Sequence, residues 1–348
     1  KAIEKAGATI INTGIGWHEA RVPTIATSVP RSAFTWVTRK MKEEVSITLV
    51  TSNRINLPGV AEDILARGDA DMVSLARPML ADPEFAIKAR EGRADEINVC
   101  IACNQACLDH TFSNKMSSCL VNPRACHETE LNYERAPFKS RFAVVGAGPA
   151  GLSAALVLGQ RGHEVDVYDA ASEIGGQLNM AKVIPGKEEF HEMLRYFARQ
   201  VELHDVNLHL GKRVTALDLK DRRYVAVIVA TGVVPRDPQI EGQDHPKVLS
   251  YVDVLRDKAP VGKRVAIIGA GGIGFDVAEY LVHEEGESST LDLEEWLAEW
   301  GVVDPADARG GLALERSPPK PPAREVTLLQ RKKGKLGAKL GKTTGWIH

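Results

Sequence analysis

The sequence predicts an α/β protein in which helices cover parallel sheets. Along most of its 348 residues, short apolar strands alternate with helical stretches, a rhythm typical of βα units. Two of the predicted strands, near residues 142–145 and 264–268, run directly into glycine-rich turns. Between residues 99 and 140 the alternation fades and cysteines cluster. These observations predict βα units, then an irregular metal-binding module, then two nucleotide-binding folds.

Composition and charge favour small molecules as ligands. The chain is 44% hydrophobic and 26% charged, and its formal net charge is -2. This balance gives no reason to expect nucleic acid or an anionic membrane as a partner. The sequence has no run of about 18 apolar residues, and its first ten residues lack the apolar stretch of a signal peptide. We therefore expect a cytoplasmic protein without membrane insertion.

The chain divides into four predicted regions. Residues 1–98 contain three βα units and are interpreted as the C-terminal part of a TIM (β/α)8 barrel. Since such a barrel needs about 250 residues, we expect the chain to be an internal fragment of a longer polypeptide. The remaining regions are a cluster module at 99–140, an incomplete Rossmann-like FAD-binding domain at 141–255, and an incomplete NADPH-binding domain at 256–348 with an insert at 284–323. Within the insert, LDLEEWLAEWG predicts a short amphipathic helix.

The cysteines predict a metal centre. Their spacing is C-x2-C-x3-C-x11-C, formed by Cys100, Cys103, Cys107 and Cys119. Three thiolates on one tight loop and a fourth from a returning segment can hold the corners of a 4Fe-4S cluster. A four-cysteine zinc site remains the alternative, although zinc ribbons usually present two separate C-x2-C pairs. We expect Cys126 to be a buried thiol outside the ligand set.

The first glycine-rich loop matches the dinucleotide fingerprint. Gly146, Gly148 and Gly151 follow a strand and open a helix, and Asp169 ends the next strand. The glycines allow a tight turn beside the pyrophosphate, while an acidic residue in the place of Asp169 accepts hydrogen bonds from the ribose. The later segments EIGGQL and VIVATG are similar to motifs of flavoprotein reductases with two dinucleotide sites, which favours FAD. These segments add three candidate residues to this site: Gly176, Gln177 and Gly232.

The second loop repeats the pattern with Gly269, Gly271 and Gly274. Where an NAD-specific site would carry an acidic residue, the sequence has Gln330, Arg331 and two lysines. Positive charge at this place suits a 2'-phosphate, so NADPH is favoured over NADH. A solvated basic loop is the alternative interpretation of this run.

Polar residues follow each predicted strand of the first region. His18, near Glu19 and Arg21, follows the first strand, Arg54 the second, and Ala76 and Arg77 the third. Side chains after the carboxyl ends of barrel strands face the active site, and the last two loops often bind phosphate. FMN is the predicted ligand of Arg54, Ala76 and Arg77. For His18 considered alone, the alternative interpretation is an ordinary structural role. For the two arginines, it is salt bridges at the rim of the barrel.

Several segments together resemble one family. WHEARVPTIAT, TSNRINLPGVAEDIL, SLARP, the cysteine module with SCLVNPRAC, VVGAGPAGL, VLSYVDVLRDKAPVGK and LGKTTGWIH are similar to bacterial NADPH-dependent 2,4-dienoyl-CoA reductases. The resemblance spans nearly the whole chain, is most specific around His18 and the cysteines, and is weak in the insert.

The resemblance implies an FMN-bearing barrel, a 4Fe-4S cluster and a reductase half that binds FAD and NADPH. In this family hydride passes from NADPH to FAD, single electrons cross the cluster to FMN, and a dienoyl-CoA thioester is reduced to enoyl-CoA during unsaturated fatty acid β-oxidation. His18 matches the family's active-site histidine, whose tyrosine partner lies on a strand absent from this chain. The resemblance therefore implies that the fragment alone is inactive.

Other functions share part of this pattern. An amine dehydrogenase of the trimethylamine type, or an enoate or steroid reductase, would have the same cluster and flavin barrel. The complete second glycine loop with Arg331 favours a pyridine nucleotide donor, and the segment WHEARVPT favours dienoyl-CoA. A non-catalytic electron carrier or a zinc-stabilised binding module is the alternative outside the enzymes.

Overall fold

A computed structural model describes residues 1–15, 20–220, 222–315, 318–338 and 340–347. The strands are β1 Ile10–Asn12, β2 Thr48–Ser52, β3 Met72–Ser74, β4 Arg141–Val145, β5 Glu164–Tyr168, β6 Asn207–His209, β7 Ala226–Val229, β8 Arg264–Ile268 and β9 Glu325–Leu329. The α-helices are α1 Ala2–Lys5, α2 Thr35–Lys42, α3 Pro58–Ala66, α4 Arg77–Ala81, α5 Phe85–Arg90, α6 Leu108–Thr111, α7 Pro149–Gln160, α8 Leu178–Ala181, α9 Glu189–Leu203, α10 Ala216–Lys220, α11 Tyr251–Leu255, α12 Gly272–Val282 and α13 Leu293–Trp300.

The chain forms two compact units. The first consists of Lys1–Cys126, Ile184–Glu189 and Gly262–His348, and the second of His127–Val183 and Phe190–Val261. The predicted α/β class with parallel sheets is confirmed in both units. No helix in the described part of the chain is long and apolar enough to cross a bilayer.

The first sheet of unit one has the order β1-β2-β3, and all its pairs are parallel. The central strand β2 carries Leu49, which is fully buried, and Val50. Helices between the strands make the connections that parallel pairing requires. These are the βα units that the sequence predicted before the cysteines, and their carboxyl ends lie along one edge of the sheet.

Unit one also holds the parallel pair β8-β9. The insert between these strands forms helix α13, as its amphipathic pattern predicted. Trp296 of α13 is 1% exposed and packs edge-on against Phe34, with 5.9 Å between ring centroids. Its indole N-H donates to the carbonyl of Ser28 at 2.9 Å. The insert is therefore part of the hydrophobic core of its unit.

The sheet of unit two has the order β6-β5-β4-β7, with parallel pairing throughout. Numbered from β4, this is the 3-2-1-4 order of a Rossmann-like fold. Val144 and Val167 are fully buried beneath helix α7, whose Leu152 and Ala155 are also fully buried. The order places the glycine-rich turn after β4 next to the crossover, where such sheets bind nucleotides.

Candidate cofactor sites

The four predicted cysteine ligands line one pocket of unit one. Cys100, Cys103, Cys107 and Cys119 share it with Arg77, Asn104 and apolar side chains. The apolar part consists of Leu80, Ile101, Leu120 and Val121. The structure thus brings together sulfur donors that are up to 19 positions apart, in surroundings of low polarity. Among the described residues, no three His, Cys, Asp or Glu side chains are arranged to hold a single metal ion.

Backbone N-H groups point at the cysteine sulfurs. The N-H of Gln105 donates to Cys103, and those of Val121 and Asn122 donate to Cys119. Ala102 and Asn104, on either side of Cys103, have φ of 51° and 60°. Turns of this kind gather successive N-H groups into a concave surface, as at many iron-sulfur sites. The loop is therefore shaped to stabilise negative charge on sulfur.

Burial disfavours the thiolate form of three of the four cysteines. Burial raises the pKa of Cys103 to about 12 and that of Cys119 to about 11, despite the N-H donors. Burial also raises the pKa of Cys107, although the Arg77 charge opposes the rise. Only thiolates bind metal well. Four sulfur donors clustered around one pocket fit an iron-sulfur centre.

Two asparagine side chains of the βα region form hydrogen bonds with the backbone of the cysteine loops. Asn56 donates to the carbonyl of Cys100 at 2.9 Å, and Asn98 donates to the carbonyl of Val121 at 2.7 Å. Both asparagines are buried. Neither asparagine was predicted as a site residue, although an amide beside apolar residues and a cysteine is a signal that the sequence contains.

Cys126 differs from its prediction. Burial was expected, but the side chain is exposed and the backbone has a left-handed φ of 64°. Cys126 is the last residue of the first segment of unit one, and the expectation that its thiol is buried was wrong.

Arg54 lies in a buried ion-pair group after β2. Its Nε donates to the carbonyl of Val29 at 2.8 Å, and its Nη2 donates to Glu189 at 2.8 Å. Arg31 forms two further bonds with Glu189, at 3.0 and 2.7 Å. Burial alone would raise the pKa of Glu189, but hydrogen bonds and charge from the two arginines hold it at about 2. The group has a net charge of +1 in a buried setting.

Asn53 lies beside this group. Both polar atoms of its side-chain amide are buried without a hydrogen-bond partner among the described residues. Buried polar groups are nearly always paired. Net positive charge and an unpaired amide at the carboxyl end of a strand suit an anionic ligand such as a phosphate, which is where the sequence predicted FMN.

Arg77 begins helix α4, three residues beyond the end of β3. Its Nη1 donates to the carbonyl of Ile25 at 2.7 Å and to Oδ1 of Asn104 at 2.6 Å. Arg77 also lines the cysteine pocket, with Ala76 preceding it as the residue before the helix. Its contact with a flavin phosphate stays a prediction. His18 lies outside the described residues, as does Glu19, while Arg21 is exposed.

Two of the three glycines of the first loop are required by close backbone contacts. A Cβ at Gly146 would lie 2.2 Å from the carbonyl oxygen of Ala230, and one at Gly151 would lie 1.8 Å from the carbonyl oxygen of Gly146. Gly148 caps helix α7, whose first N-H groups have no helical acceptor. The turn can therefore bring a phosphate close to the helix terminus, which attracts anions.

Other predicted FAD residues surround this loop. Asp169 directly follows β5, and its carboxylate accepts from the N-H groups of Ala147 at 2.6 Å and Ala171 at 2.8 Å. Gln177 donates to the carbonyl of Val233 at 2.7 Å, which joins the GGQ segment to the ATG segment of Gly232. A Cβ at Gly176 would lie 3.1 Å from the Cα of Gly148. The structure thus gathers three predicted motifs at one sheet edge.

The second loop is similar to the first, except that a Cβ at Gly269 would meet nothing within 4 Å. Gly269 has a φ of 126°, Gly271 caps helix α12, and a Cβ at Gly274 would lie 1.8 Å from the carbonyl oxygen of Gly269. Arg331 is exposed two residues beyond β9, which pairs with β8. The predicted cation therefore lies after the strand that neighbours the glycine loop.

Comparisons with known proteins agree with this arrangement. Residues 1–96 match the NADH:flavin oxidoreductase / NADH oxidase family, and residues 140–333 match the pyridine nucleotide-disulphide oxidoreductase family. A metal reductase of Desulforamulus reducens is 37% identical over 84% of the chain and 44% of its own length. An NADH oxidase of Thermoanaerobacter brockii is 34% identical over 84% of the chain and 46% of its own length.

A solved 2-naphthoyl-CoA reductase in complex with 2-naphthoyl-CoA is also similar. Its TM-score is 0.77 at 29% identity, over 84% of this chain and 47% of that one. The chain spans less than half the length of these three relatives. With more than half of its residues matched and both glycine-rich loops in place, the chain belongs to the pyridine nucleotide-disulphide oxidoreductase family and carries an NADH:flavin oxidoreductase segment before it.

Proposed function

We propose that the protein containing this chain is an NADPH-dependent 2,4-dienoyl-CoA reductase, which reduces its thioester substrate to enoyl-CoA in unsaturated fatty acid β-oxidation. The observation that carries the proposal is the pocket lined by Cys100, Cys103, Cys107 and Cys119. In the sequence it follows a flavin oxidoreductase segment and precedes two dinucleotide loops. When bound, FAD and FMN would exchange electron pairs with NADPH and the thioester, and a 4Fe-4S cluster would pass single electrons between them.

The cysteines would hold the cluster as thiolates. The N-H groups of Gln105, Val121 and Asn122 would continue to donate to the ligand sulfurs, as they do to the thiols. The apolar lining would exclude water from the sulfurs. Both features are among those that set the potential of iron-sulfur proteins.

The flavin phosphate of FMN would bind at the carboxyl ends of β2 and β3. The net charge of the Arg31, Arg54 and Glu189 group and the unpaired Asn53 amide support this position. Glu189 orients both guanidinium groups, which limits the entropy that they lose on binding an anion. Ala76 and Arg77 complete the proposed set.

The two glycine loops would bind the dinucleotides. Gly146, Gly148 and Gly151 would cradle the FAD pyrophosphate, and Asp169 retains acceptor capacity for a ribose hydroxyl beyond its two backbone bonds. The loop of Gly269, Gly271 and Gly274 would hold the pyrophosphate of NADPH. Arg331 would pair with its 2'-phosphate, a contact that NADH lacks.

A CoA thioester is the proposed substrate class. The similar 2-naphthoyl-CoA reductase, whose ligand is also the CoA thioester of an unsaturated acid, supports this choice. The resemblance around His18 supports a role for its imidazole as the group that donates a proton to the substrate carbon. A thioester carbonyl makes the reduced intermediate an enolate, which a positioned acid can protonate.

The test is an anaerobic titration of the complete protein with NADPH and then with a 2,4-dienoyl-CoA, followed by visible absorbance. NADPH should bleach the flavin and cluster bands, and dienoyl-CoA should restore them with formation of enoyl-CoA. NADH should bleach the flavin and cluster bands much less than NADPH does. Reduction by a methylated amine, without a response to dienoyl-CoA, would instead identify an amine dehydrogenase of the same superfamily.

A further inference from the structure

The cysteine pocket contains one polar side chain with an unused donor. Asn104 lines the pocket and is 1% exposed. Its side-chain Nδ2 is buried and has no hydrogen-bond partner in the described ranges of the chain. A buried amide donor left unpaired is costly. An acceptor that belongs in the pocket would remove this cost.

The contact with Arg77 identifies which branch of the Asn104 amide is the donor. A guanidinium group can only donate hydrogen bonds, so the Asn104 atom that it contacts at 2.6 Å must be the oxygen. The NH2 group is therefore the other branch of the amide. Since Arg77 also donates to the carbonyl of Ile25, its own position is fixed from two sides.

The backbone of Asn104 is fixed as well. Its φ of 60° lies in the left-handed region, which asparagine adopts more readily than other residues with a Cβ. Its carbonyl accepts from the N-H of Asp109 at 2.9 Å. The amide thus has a defined direction before any cofactor binds.

We propose that Nδ2 of Asn104 donates a hydrogen bond to a sulfur atom of the cluster and raises its reduction potential. This inference rests on the proposed function, because it requires the iron-sulfur cluster. Reduction adds negative charge to the cluster, and an N-H dipole directed at sulfur stabilises that charge. Asn104 would thus contact the cluster directly, and Arg77 is the positioning residue that orients its amide.

The test compares three variants of the complete protein. Asn104→Gly keeps the left-handed backbone but removes the donor, and Asn104→Asp removes the donor while keeping an acceptor for Arg77. Asn114→Asp is the matched control, because Asn114 lies in the same module with a φ of 53° but is exposed. Iron and sulfide contents are measured first, and cluster potentials then come from titrations followed by electron paramagnetic resonance.

Both Asn104 variants should lower the cluster potential. For Asn104→Asp the one-electron reduction constant should fall about tenfold, which equals about 59 mV. Asn114→Asp should leave the potential unchanged. Equal shifts in the two Asp variants, or an unchanged potential in Asn104→Gly with full iron content, would overturn the inference.

A second measurement needs no substitution. Asparagine labelled with nitrogen-15 in its side chain should give a nuclear coupling to the reduced cluster of the wild-type protein. Absence of this coupling from a protein with normal iron and sulfide content overturns the role of Asn104 alone. A wild-type protein without iron and sulfide contradicts the proposed function itself.

Discussion

Arg54 and Glu189 are 135 positions apart in the sequence, and their side chains form an ion pair of 2.8 Å that is almost completely buried. Arg31 completes the group by donating to both oxygens of the same carboxylate, at 3.0 and 2.7 Å. A buried carboxylate between two guanidinium groups is stabilising only while all three remain paired. The group therefore fixes the loop after β2, where we place the flavin phosphate.

Replacing Glu189 with Gln should destabilise the protein strongly. The substitution keeps the shape of the side chain but leaves two arginine charges uncompensated, at a cost of about 3–5 kcal/mol. Urea unfolding of the complete protein would measure the loss. Glu91→Gln is the control, because its exposed pair with Arg93 is screened by solvent and should contribute little to stability. Equal effects of the two substitutions would contradict a buried pair.

The same group predicts an acid-sensitive stability. The pKa of Glu189 is about 2 in the folded protein, below its usual value of 4.5. A lowered pKa contributes stability that is fully present above pH 4.5 and lost as pH falls toward 2, in total about 3 kcal/mol. The free energy of unfolding of Glu189→Gln should depend less on pH over this window. An unchanged pH dependence would refute the assignment.

Trp296→Ala should unfold or strongly weaken unit one. The indole is 1% exposed, and its loss removes both apolar contact and the hydrogen bond to Ser28. Truncation of a buried tryptophan costs about 3–5 kcal/mol. Leu314→Ala is the control within the same insert, because Leu314 is fully exposed and its loss should change stability by less than about 0.5 kcal/mol. Thermal unfolding of both variants would distinguish a structural insert from a dispensable one.

Gly274→Ala should prevent reduction of the protein by NADPH. The added Cβ would lie 1.8 Å from the carbonyl oxygen of Gly269, so the turn that receives the pyrophosphate must distort. Gly272→Ala is the matched control in the same helix, where a Cβ meets nothing within 4 Å. Stopped-flow measurement should show flavin reduction by NADPH in the control but not in Gly274→Ala, with FAD content unchanged. Normal reduction of Gly274→Ala would show that NADPH binds elsewhere.

His18→Ala in the complete protein should slow reduction of dienoyl-CoA by about 10²- to 10⁴-fold, the usual contribution of a general acid. Reduction of the bound flavins by NADPH should remain near its wild-type rate, because that step does not need the proton that His18 would donate to the substrate. Single-turnover measurements of both half-reactions would separate them. Equal slowing of the two steps would assign His18 a structural role instead.

Local patterns in the sequence predicted most elements of the fold. The apolar runs of β4 and β8, each followed by a glycine-rich turn and a helix, predicted their βα units because strand and helix periodicities are local properties. The helical period of LDLEEWLAEWG likewise predicted α13. The burial of Trp296 was beyond prediction, since its partner Ser28 lies 268 positions away.

In the candidate sites too, local sequence patterns predicted some features, while others depend on contacts between residues that are far apart in the sequence. Cysteine spacing predicted the shared pocket, and glycine spacing predicted the turns. The burial of Arg54 against Glu189 could not be predicted, because nothing near either residue signals the other. The exposure of Cys126 was also missed, since a cysteine close to four others gives no local sign that its side chain is exposed. The orientation of Asn104 depends on Arg77, which lies 27 positions earlier.

The central claim is that Cys100, Cys103, Cys107 and Cys119 hold an iron-sulfur cluster. Determination of metal and acid-labile sulfide in the anaerobically purified complete protein tests this claim most directly. We expect about four iron and four sulfide per chain, and both should be lost in Cys103→Ser. One zinc per chain without sulfide would contradict it.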